Sequence, residues 1–551
     1  MQPATQLSGQ TRFHGHIVDV VAGEIFPGLI EICDGNIASI QRTPTAPPQW
    51  IMPGLIDAHI HIESTMLPPS EFSRLATVHG TVATISDPHE IANVLGMEGI
   101  RYMIEDGQRG AVKFYFGAPS CVPATCFESA GATLDAGQIG QLLQSSDIHY
   151  LSEMMNFPGV IHGDAEVMKK IALAAASQKP VDGHAPGLRG KDVATYIAAG
   201  ITTDHECTTL AEAREKMALG MHILIREGSA AKNFNDLAPL IQENYARCML
   251  CSDDLHPDDL VKGHINLLVK RALALGFEPM HVLRCASLHP VRHYHLDVGL
   301  LQAGDPADFI IVDNLDDFNV LSTCINGTIV AAGGASLLPC QPATTINHFL
   351  ACARTGADFR IPAAGSQIEV MVAMDGQVFT RREVVEATVE QGEVVADIPR
   401  DLLKIAVINR YQSDAKPAVA IIRGFGLRRG AIASTVAHDS HHIIATGTSD
   451  AAICKAVNML IREKGGICAV DDDSSMQLPL PIAGLMSDRD GYQVARRYAG
   501  LNRFVHDLGC PLSAPFMTLS FMALLVIPAL KLSDKGLFDS EHFAFTPLWR
   551  C

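Results

Sequence analysis

The sequence has no apolar run long enough to cross a bilayer, because the longest, near residues 521–530, is short and contains Pro528. Residues 1–5 also lack the basic segment followed by an apolar one that marks a secretion signal. Basic residues are outnumbered: 42 lysines and arginines face 60 aspartates and glutamates, which gives a net charge of −18. A surface of this charge argues against binding to nucleic acid or to anionic membranes.

The cysteines do not form a disulfide framework. All 14 are scattered along 551 residues, which suits a reducing cytosol better than a secreted scaffold. Cys248 and Cys251 have C-x-x-C spacing, but no second pair and no thioredoxin-like sequence accompany them, so we expect both to pack in a core. These features predict a cytoplasmic protein with more than one domain.

Residues 51–290 alternate strands and helices without the Gly-rich phosphate turn that usually follows the first strand of a doubly wound open sheet. Histidines occupy that position instead. Eight alternating units favour an α/β fold with a (β/α)8, TIM-like barrel, and the doubly wound sheet is the alternative. A first strand ends in Asp57–His61, and the later strands are expected at 81–86, 112–117, 148–153, 180–184, 201–205, 221–226 and 247–253.

Short strands separated by turns lie on both sides of this region. They are expected at 17–21, 29–32 and 37–40 before it, and within 307–313 and 324–330 after it. The first group is too small to form a stable sheet by itself. We therefore predict a small β-sandwich domain built from 1–52 and 296–345, the barrel at 53–295, and an extra C-terminal α/β domain at 346–551.

Metal-ligand side chains end several of the predicted barrel strands, at the rim where barrel enzymes carry their chemistry. Residues i and i+2 of a strand point to one face, so the two imidazoles of the first strand can bind one cation. Four imidazoles and two carboxylates can hold two divalent cations with a hydroxide between them. A lone histidine is more often structural, but six ligand types at matching positions predict a binuclear metal centre: His59, His61, Glu153, His184, His205 and Asp253.

This pattern resembles the amidohydrolase superfamily, and within it the chain is similar to the bacterial adenine deaminase family along nearly its whole length. The likeness to the superfamily also rests on Gly299–Asp308. The stretches that carry the likeness to the family are Pro53–Ser64, Ser86–Gly96, Ile225–Ser229, Arg429–His441 and Leu478–Asp488. The resemblance implies hydrolysis of adenine to hypoxanthine and ammonia in purine salvage, with two Mn²⁺ or Fe²⁺ per chain. Zn²⁺ suits the same oxygen and nitrogen ligands. The family resemblance also implies a homodimer or a larger homo-oligomer.

The end of the fourth strand separates subclasses of this superfamily. Many binuclear members bridge their metals there with a carbamylated lysine, but residues 152–158 contain no lysine, and Glu153 occupies the position. A glutamate can bridge two cations directly. We therefore predict that Glu153 bridges the metals and is a second candidate proton carrier.

The remaining roles follow from the chemistry of amine loss. Asp253 is the best candidate to take a proton from the nucleophile and return it to the leaving nitrogen. Candidates to contact the purine edge are Arg226, Glu227, Ser229 and Asp254. Asp87 and His89 could orient His59 or His61, or contact the substrate, and both options stay open. The run His438–His442 either lines the pocket mouth or packs the C-terminal domain.

Two other functions compete with this one. A cyclic-amide hydrolase of the same superfamily is disfavoured by the missing bridging lysine and by the long C-terminal domain. A catalytically dead scaffold protein is disfavoured because such a protein would have lost metal ligands, whereas all six are present.

Overall fold

The structure is a computed structural model that describes residues 10–550. Residues 1–9, where the sequence predicts no signal segment, and Cys551 lie outside this range. The central element is a set of eight mutually parallel strands: Leu55–Ile60, Thr81–Ser86, Lys113–Ala118, Ile148–Met154, Val181–Gly183, Thr203–Asp204, His222–Arg226 and Cys248–Cys251.

These strands are divided between two parallel sheets that together form a curled set. The first five strands pair in one sheet and the last three in the other. Single parallel bridges join the two sheets at both ends, Val181 with Ile201 and Ile60 with Asp253. Every residue of the first two strands is buried, as expected for parallel strands that are covered on both faces. All seven expected later strands are present, with small shifts at their ends.

Helices follow the strands, and polar caps fix where several of them begin. The side chain of Asp164 accepts hydrogen bonds from the amides of Glu166 and Val167, both at 3.0 Å. Thr209 accepts one from the amide of Glu212 at 3.3 Å. The helices are Pro69–Ala76, His89–Leu95, Met97–Gly107, Ala136–Gln144, Phe157–His162, Ala165–Ala176, Gly190–Ala198, Leu210–Ala218, Phe234–Leu237, Pro239–Asn244, Pro257–Leu260, Ile265–Ala274, Pro279–Cys285 and Leu288–Tyr294.

An eight-stranded sheet combines strands from both flanks of the parallel set. The two flanks meet where Phe309–Val312 pairs antiparallel with Trp50–Pro53. Its strands, in order across the sheet, are Ala335–Ser336, Thr328–Ala332, Val320–Ile325, Phe309–Val312, Trp50–Pro53, Gln10–Asp19, Glu24–Cys33 and Asn36–Arg42.

Two segments that looked like single strands are divided. The apolar run at 50–56 changes sheets at Gly54, where a Cβ would lie 2.2 Å from Val82 Cγ1, so only glycine allows this close approach. The segment 324–330 is a hairpin that turns at Asn326 and Gly327, which have φ values of 47° and 74°. An Asn-Gly pair between apolar residues is a strong hairpin signal, so this turn was readable from the sequence.

The C-terminal part is built on a nine-stranded sheet: Thr380–Glu386, Gln367–Ala373, Ala418–Arg423, Leu403–Ile408, Ile443–Gly447, Ala431–Ser434, Gly466–Val470 and Ser475–Pro479, with Trp549–Arg550 beside Gln367–Ala373. Helices Asp450–Glu463, Gly491–Asp507 and Pro515–Phe521 pack on it, the first of them capped by Ser449. Two three-stranded sheets complete it: Ile361–Pro362, Glu393–Val394 and Val389–Glu390, and Leu530–Ser533, Gly536–Asp539 and Ala544–Phe545.

The C-terminal part packs directly on the carboxyl-terminal side of the parallel strands. The amide of Ser487 donates to the carbonyl of Met66 at 2.8 Å. The hydroxyl of Tyr498 lies 2.6 Å from His256 Nδ1. One hydrophobic core runs through both parts, so their relative position is fixed by burial. Within residues 10–550, no helix combines the length and apolar character that a membrane span requires.

Candidate active site

The structure brings all six predicted metal ligands to one place at the carboxyl ends of the parallel strands. They come from the first, fourth, fifth, sixth and eighth strands or from the residues just after them. All are buried, and none is more than 7% exposed: His59, His61, Glu153, His184, His205 and Asp253.

Glu153 lies between two groups of imidazoles. Its Oε1 is 3.3 Å from His61 Nε2. Its Oε2 is 2.8 Å from His184 Nδ1 and 3.2 Å from His205 Nε2. Burial raises the pKa of this carboxyl group, but His184 and the other imidazoles outweigh burial and hold the pKa well below its usual value. The carboxylate is therefore ionised, with one oxygen directed at each group of histidines.

Asp253 faces the histidines of the first strand. Its Oδ1 is 3.2 Å from His61 Nε2 and 3.5 Å from His59 Nε2, while its Oδ2 accepts a hydrogen bond from Arg226. Burial opposes ionisation here too, but the Arg226 guanidinium lowers the pKa well below its usual value. Asp253 has a φ of 57°, a left-handed conformation that non-glycine residues seldom adopt and that is common at functional sites.

Several ring nitrogens in this cluster lack protein partners. Within the described part of the chain, neither ring nitrogen of His59 makes a hydrogen bond, and neither does Nε2 of His184. A buried polar atom without a partner costs about 1–3 kcal/mol, so this set of atoms is poorly suited to stand alone. Closely spaced imidazole and carboxylate atoms fit divalent cations, which would satisfy those nitrogens.

Glu206 belongs to the same cluster, although the sequence analysis did not select it. Its Oε1 is 3.3 Å from His205 Nε2 and 3.7 Å from His184 Nδ1, and its carboxylate accepts hydrogen bonds from Arg226. Burial opposes its ionisation, but Arg226 lowers the pKa below its usual value. The signal was present in the sequence, because Glu206 directly follows His205 at the end of a strand.

Of the four residues predicted to contact the purine edge, two line the cavity and two do not. Arg226 lines the cavity, but its guanidinium is engaged by Glu206 and Asp253. Asp254 lines the cavity as well and accepts a hydrogen bond from Ser64 Oγ. Glu227 instead pairs with Arg271 at 2.7 Å.

Ser229 also has another partner. Its hydroxyl donates to Asp259 Oδ2 at 2.6 Å. Neither Glu227 nor Ser229 is one of the described residues that line the cavity. Only Asp254 and Arg226 therefore stay candidates for contact with the purine edge.

Asp87 and His89 have different positions. The backbone carbonyl of Asp87 lies 3.2 Å from His61 Nδ1, and this contact directs the other ring nitrogen of His61 at the carboxylates. The Asp87 carboxylate contacts His89 Nδ1 at 3.1 Å. His89 itself lines the cavity, 3.5 Å from Glu153 Oε1.

A cavity opens above this cluster. The parallel strands supply its polar floor, and the C-terminal part supplies an apolar wall from Val378, Phe521, Leu524 and Ile527. From the run 438–442, His438 and Asp439 line the cavity. His441 is directed at Glu90, and His442 Nε2 lies 2.9 Å from the carbonyl of Ser129.

Comparison with known proteins places this fold and site in a class. The amidohydrolase family model matches residues 50–330, which include the whole parallel set, so the chain is a metal-dependent hydrolase of the amidohydrolase type. A second model, the adenine deaminase C-terminal domain, matches residues 377–544.

Curated relatives narrow the assignment. An adenine deaminase of Salinibacter ruber is 55% identical over 96% of this chain and 97% of its own length. One from Sulfurovum sp. is 56% identical over 96% and 98%. One from Methanosarcina mazei is 50% identical over 98% and 99%. The chain belongs to the adenine deaminase family, which confirms the resemblance seen in the sequence.

The buried ion pairs of Arg226 lead to a first prediction. We expect Arg226→Met to lower the free energy of unfolding by about 3–5 kcal/mol, because it removes the guanidinium that pairs with the buried carboxylates of Glu206 and Asp253. Denaturant unfolding of chelator-treated protein, followed by circular dichroism, measures this loss without a contribution from bound metal.

Arg271→Met is the matched control. Its side chain is 36% exposed and pairs with Glu227. An exposed ion pair contributes only about 0–1 kcal/mol, so we expect a small loss. Equal losses in the two variants would contradict the importance assigned to the buried pairs.

Proposed function

We propose that this chain catalyses the hydrolytic deamination of adenine to hypoxanthine and ammonia, a step of purine salvage. The observation that carries the proposal is the buried set of imidazoles and carboxylates beneath a half-apolar cavity, in a chain of the adenine deaminase family. The cyclic-amide hydrolase alternative gains no support, since Glu153 and not a lysine occupies the bridging position.

We assign six side chains to two divalent cations, Mn²⁺ or Fe²⁺, with Zn²⁺ also compatible. Glu153 presents one oxygen to His61 and the other to His184 and His205, an arrangement suited to bridging. Bound divalent cations lower the pKa of water and so make a hydroxide nucleophile available near neutral pH. The ligands are His59, His61, Glu153, His184, His205 and Asp253.

Asp253 is the proposed proton carrier. Departure of ammonia requires that the leaving nitrogen gain a proton, and a positioned carboxylate can take that proton from the attacking water and deliver it. Arg226 holds Asp253 Oδ2, so the other oxygen is fixed toward the histidines. Glu153 is the second candidate for this role.

The cavity walls suit a flat heteroaromatic base. Apolar side chains can cover the faces of the ring, while polar groups at the edge must match its donors and acceptors, because an unpaired buried group costs about 1–3 kcal/mol. Asp254, held by Ser64, is the proposed acceptor at this edge. His89 lies close enough to the floor to contact the reacting end of the base.

The domain arrangement predicted from the sequence is part of the proposal. We propose that the eight parallel strands act as one (β/α)8 barrel at 53–295, because single bridges join their two sheets. The strands of 1–52 and 296–345 would then form the small β domain, and 346–551 the C-terminal α/β domain. The cytoplasmic location is predicted from the scattered cysteines, and the homodimer or larger homo-oligomer is predicted from the family resemblance.

Substrate use is the direct test. We expect ammonia release from adenine and not from adenosine, because the family acts on the free base and a ribose at N9 would need extra room. Ammonia is measured with both substrates, before and after treatment with a metal chelator. Activity that survives complete metal removal, or equal catalytic efficiency with adenosine, would overturn the proposal.

Metal content gives a separate prediction. We expect two divalent cations per chain under saturating metal, because six ligands are too many for one tetrahedral site. Elemental analysis of protein titrated with Mn²⁺ measures the stoichiometry. Full activity with a single tightly held metal would exclude the binuclear assignment.

The proton carrier is tested by Asp253→Asn, which keeps the shape and a carbonyl oxygen but cannot cycle a proton. We expect the maximal rate to fall about 10²–10⁴-fold, the usual contribution of a positioned acid or base, with a smaller effect on adenine binding. Steady-state kinetics and metal analysis on the same preparation measure both. Near-normal turnover with full metal would transfer the role to Glu153.

Asp254→Asn is the comparison variant. If Asp254 contacts the purine edge, its substitution should raise the half-saturating adenine concentration more than it lowers the maximal rate. The two neighbouring carboxylates are thereby distinguished, because Asp253→Asn should mainly lower the maximal rate and Asp254→Asn should mainly raise the half-saturating adenine concentration.

A further inference from the structure

Glu90 joins the parallel strands to the C-terminal part at the edge of the cavity. It lies in the helix His89–Leu95, just after the second strand, and its carboxylate contacts Nδ1 of His438 and Nε2 of His441. All three side chains are at most 4% exposed. Burial opposes ionisation of Glu90, but His438 and His441 outweigh it and lower the pKa well below its usual value. A buried carboxylate thus anchors two histidines from the other part of the chain.

Three such side chains could also be considered as a metal site, but the hydrogen bonds of His441 argue against it. Its Nδ1 accepts a hydrogen bond from the amide of Ala437 at 3.2 Å. The proton of a neutral ring is then on Nε2, which donates to Glu90 and has no lone pair to offer a cation. The cluster is therefore a hydrogen-bonded anchor.

The anchor fixes the orientation of the His438 ring. Nδ1 is held by Glu90, the ring stacks on Phe521 at 5.3 Å and 26°, and the backbone amide donates to Ser520 Oγ at 3.2 Å. The remaining polar atom, Nε2, belongs to a residue of the cavity wall and lies 4.0 Å from Asp254 Oδ1. This distance is too long for a hydrogen bond between the two groups.

His438 and Asp254 thus offer a donor and an acceptor side by side. Burial disfavours a charged His438, but the carboxylates of Glu90 and Asp254 outweigh it and raise the pKa of His438 to about 9, so Nε2 carries a proton at neutral pH. Asp254 supplies acceptor oxygens. Adenine shows the complementary pattern on each of its edges: N1 and N7 are acceptors next to the N6 amino donor, and N3 is an acceptor next to the N9–H donor.

We propose that His438 binds the purine by donating from Nε2 to a ring nitrogen, and that Glu90 is the positioning residue that holds His438 in place. The C-terminal part would then contribute a specific polar contact as well as the apolar wall. This inference rests on the proposed function, because a purine is taken as the occupant of the cavity. It adds to that function a role for the C-terminal part and for a residue outside the metal ligands.

The test compares adenine with its 1-deaza, 3-deaza and 7-deaza analogues, in each of which one ring nitrogen is replaced by C–H. Dissociation constants are measured by calorimetry in metal-loaded, full-length Asp253→Asn protein, in which we expect turnover to be about 10²–10⁴-fold slower than in the unsubstituted protein. A hydrogen bond from a charged donor corresponds to about tenfold or more in affinity. We expect one analogue to bind weaker than adenine by that factor.

In the His438→Leu version of the same protein, we expect adenine to bind about tenfold weaker and the penalty for that analogue to disappear. Glu90→Gln should reduce the same penalty, and His438→Gln, which keeps a donor, should restore part of it. If His438 had only a structural role, its substitution would weaken the binding of adenine and of all three analogues by the same factor. Penalties that stay unchanged in His438→Leu would overturn the inference.

His442→Gln is the matched control, since this side chain is in the same run but contacts Ser129 and Asp534. It should leave the analogue pattern unchanged, and thermal unfolding checks that all variants fold. Ammonia release by the unsubstituted protein is measured in parallel. If no ammonia is released from adenine, the result counts against the proposed function. If ammonia is released but the affinity penalties of the analogues are unchanged in His438→Leu, the result counts only against the role of His438. Failure of every purine to bind would overturn both.

Discussion

Burial of many ionisable groups at one point is the constraint on which this structure depends. Carboxylates and imidazoles that are almost fully buried must compensate one another, because an unpaired charge away from water is very costly. Arg226 holds both Glu206 and Asp253, and Glu153 faces three histidines. This requirement fixes the positions of side chains from six different strands, and the same compensation makes the cluster receptive to cations.

The strands themselves are held together by polar contacts beneath the site. Asp57 Oδ1 accepts hydrogen bonds from the amides of His59 at 3.2 Å and Ser252 at 3.0 Å. Its Oδ2 lies 2.8 Å from His264 Nε2. Asp57 therefore ties the first strand to the end of the eighth. His59 and Asp253, two of the proposed metal ligands, lie next to these contacts and are placed by the backbone.

The C-terminal part completes the cavity. The parallel strands provide polar groups on one side, and Val378, Phe521, Leu524 and Ile527 close the other side with apolar surface. Such a division suits a base that must be desolvated on its faces and hydrogen-bonded at its edge. It also explains why the match to the adenine deaminase C-terminal domain accompanies the match to the amidohydrolase family in one chain.

The sequence by itself determined the strands that carry the ligands, because parallel strands buried on both faces are short apolar runs and their ends are marked by polar residues. It also identified all six candidate ligands, since i, i+2 spacing and strand ends are local features. Only the tertiary structure decided the partners of Arg226, the inclusion of Glu206 and the pairing of Glu227 with Arg271 outside the cavity. The same holds for His438 and Glu90, which are about 350 residues apart in the chain and meet through packing of the two parts. Local patterns fix which face a side chain takes, whereas contacts between distant segments depend on how whole layers pack, and no short stretch of sequence encodes that.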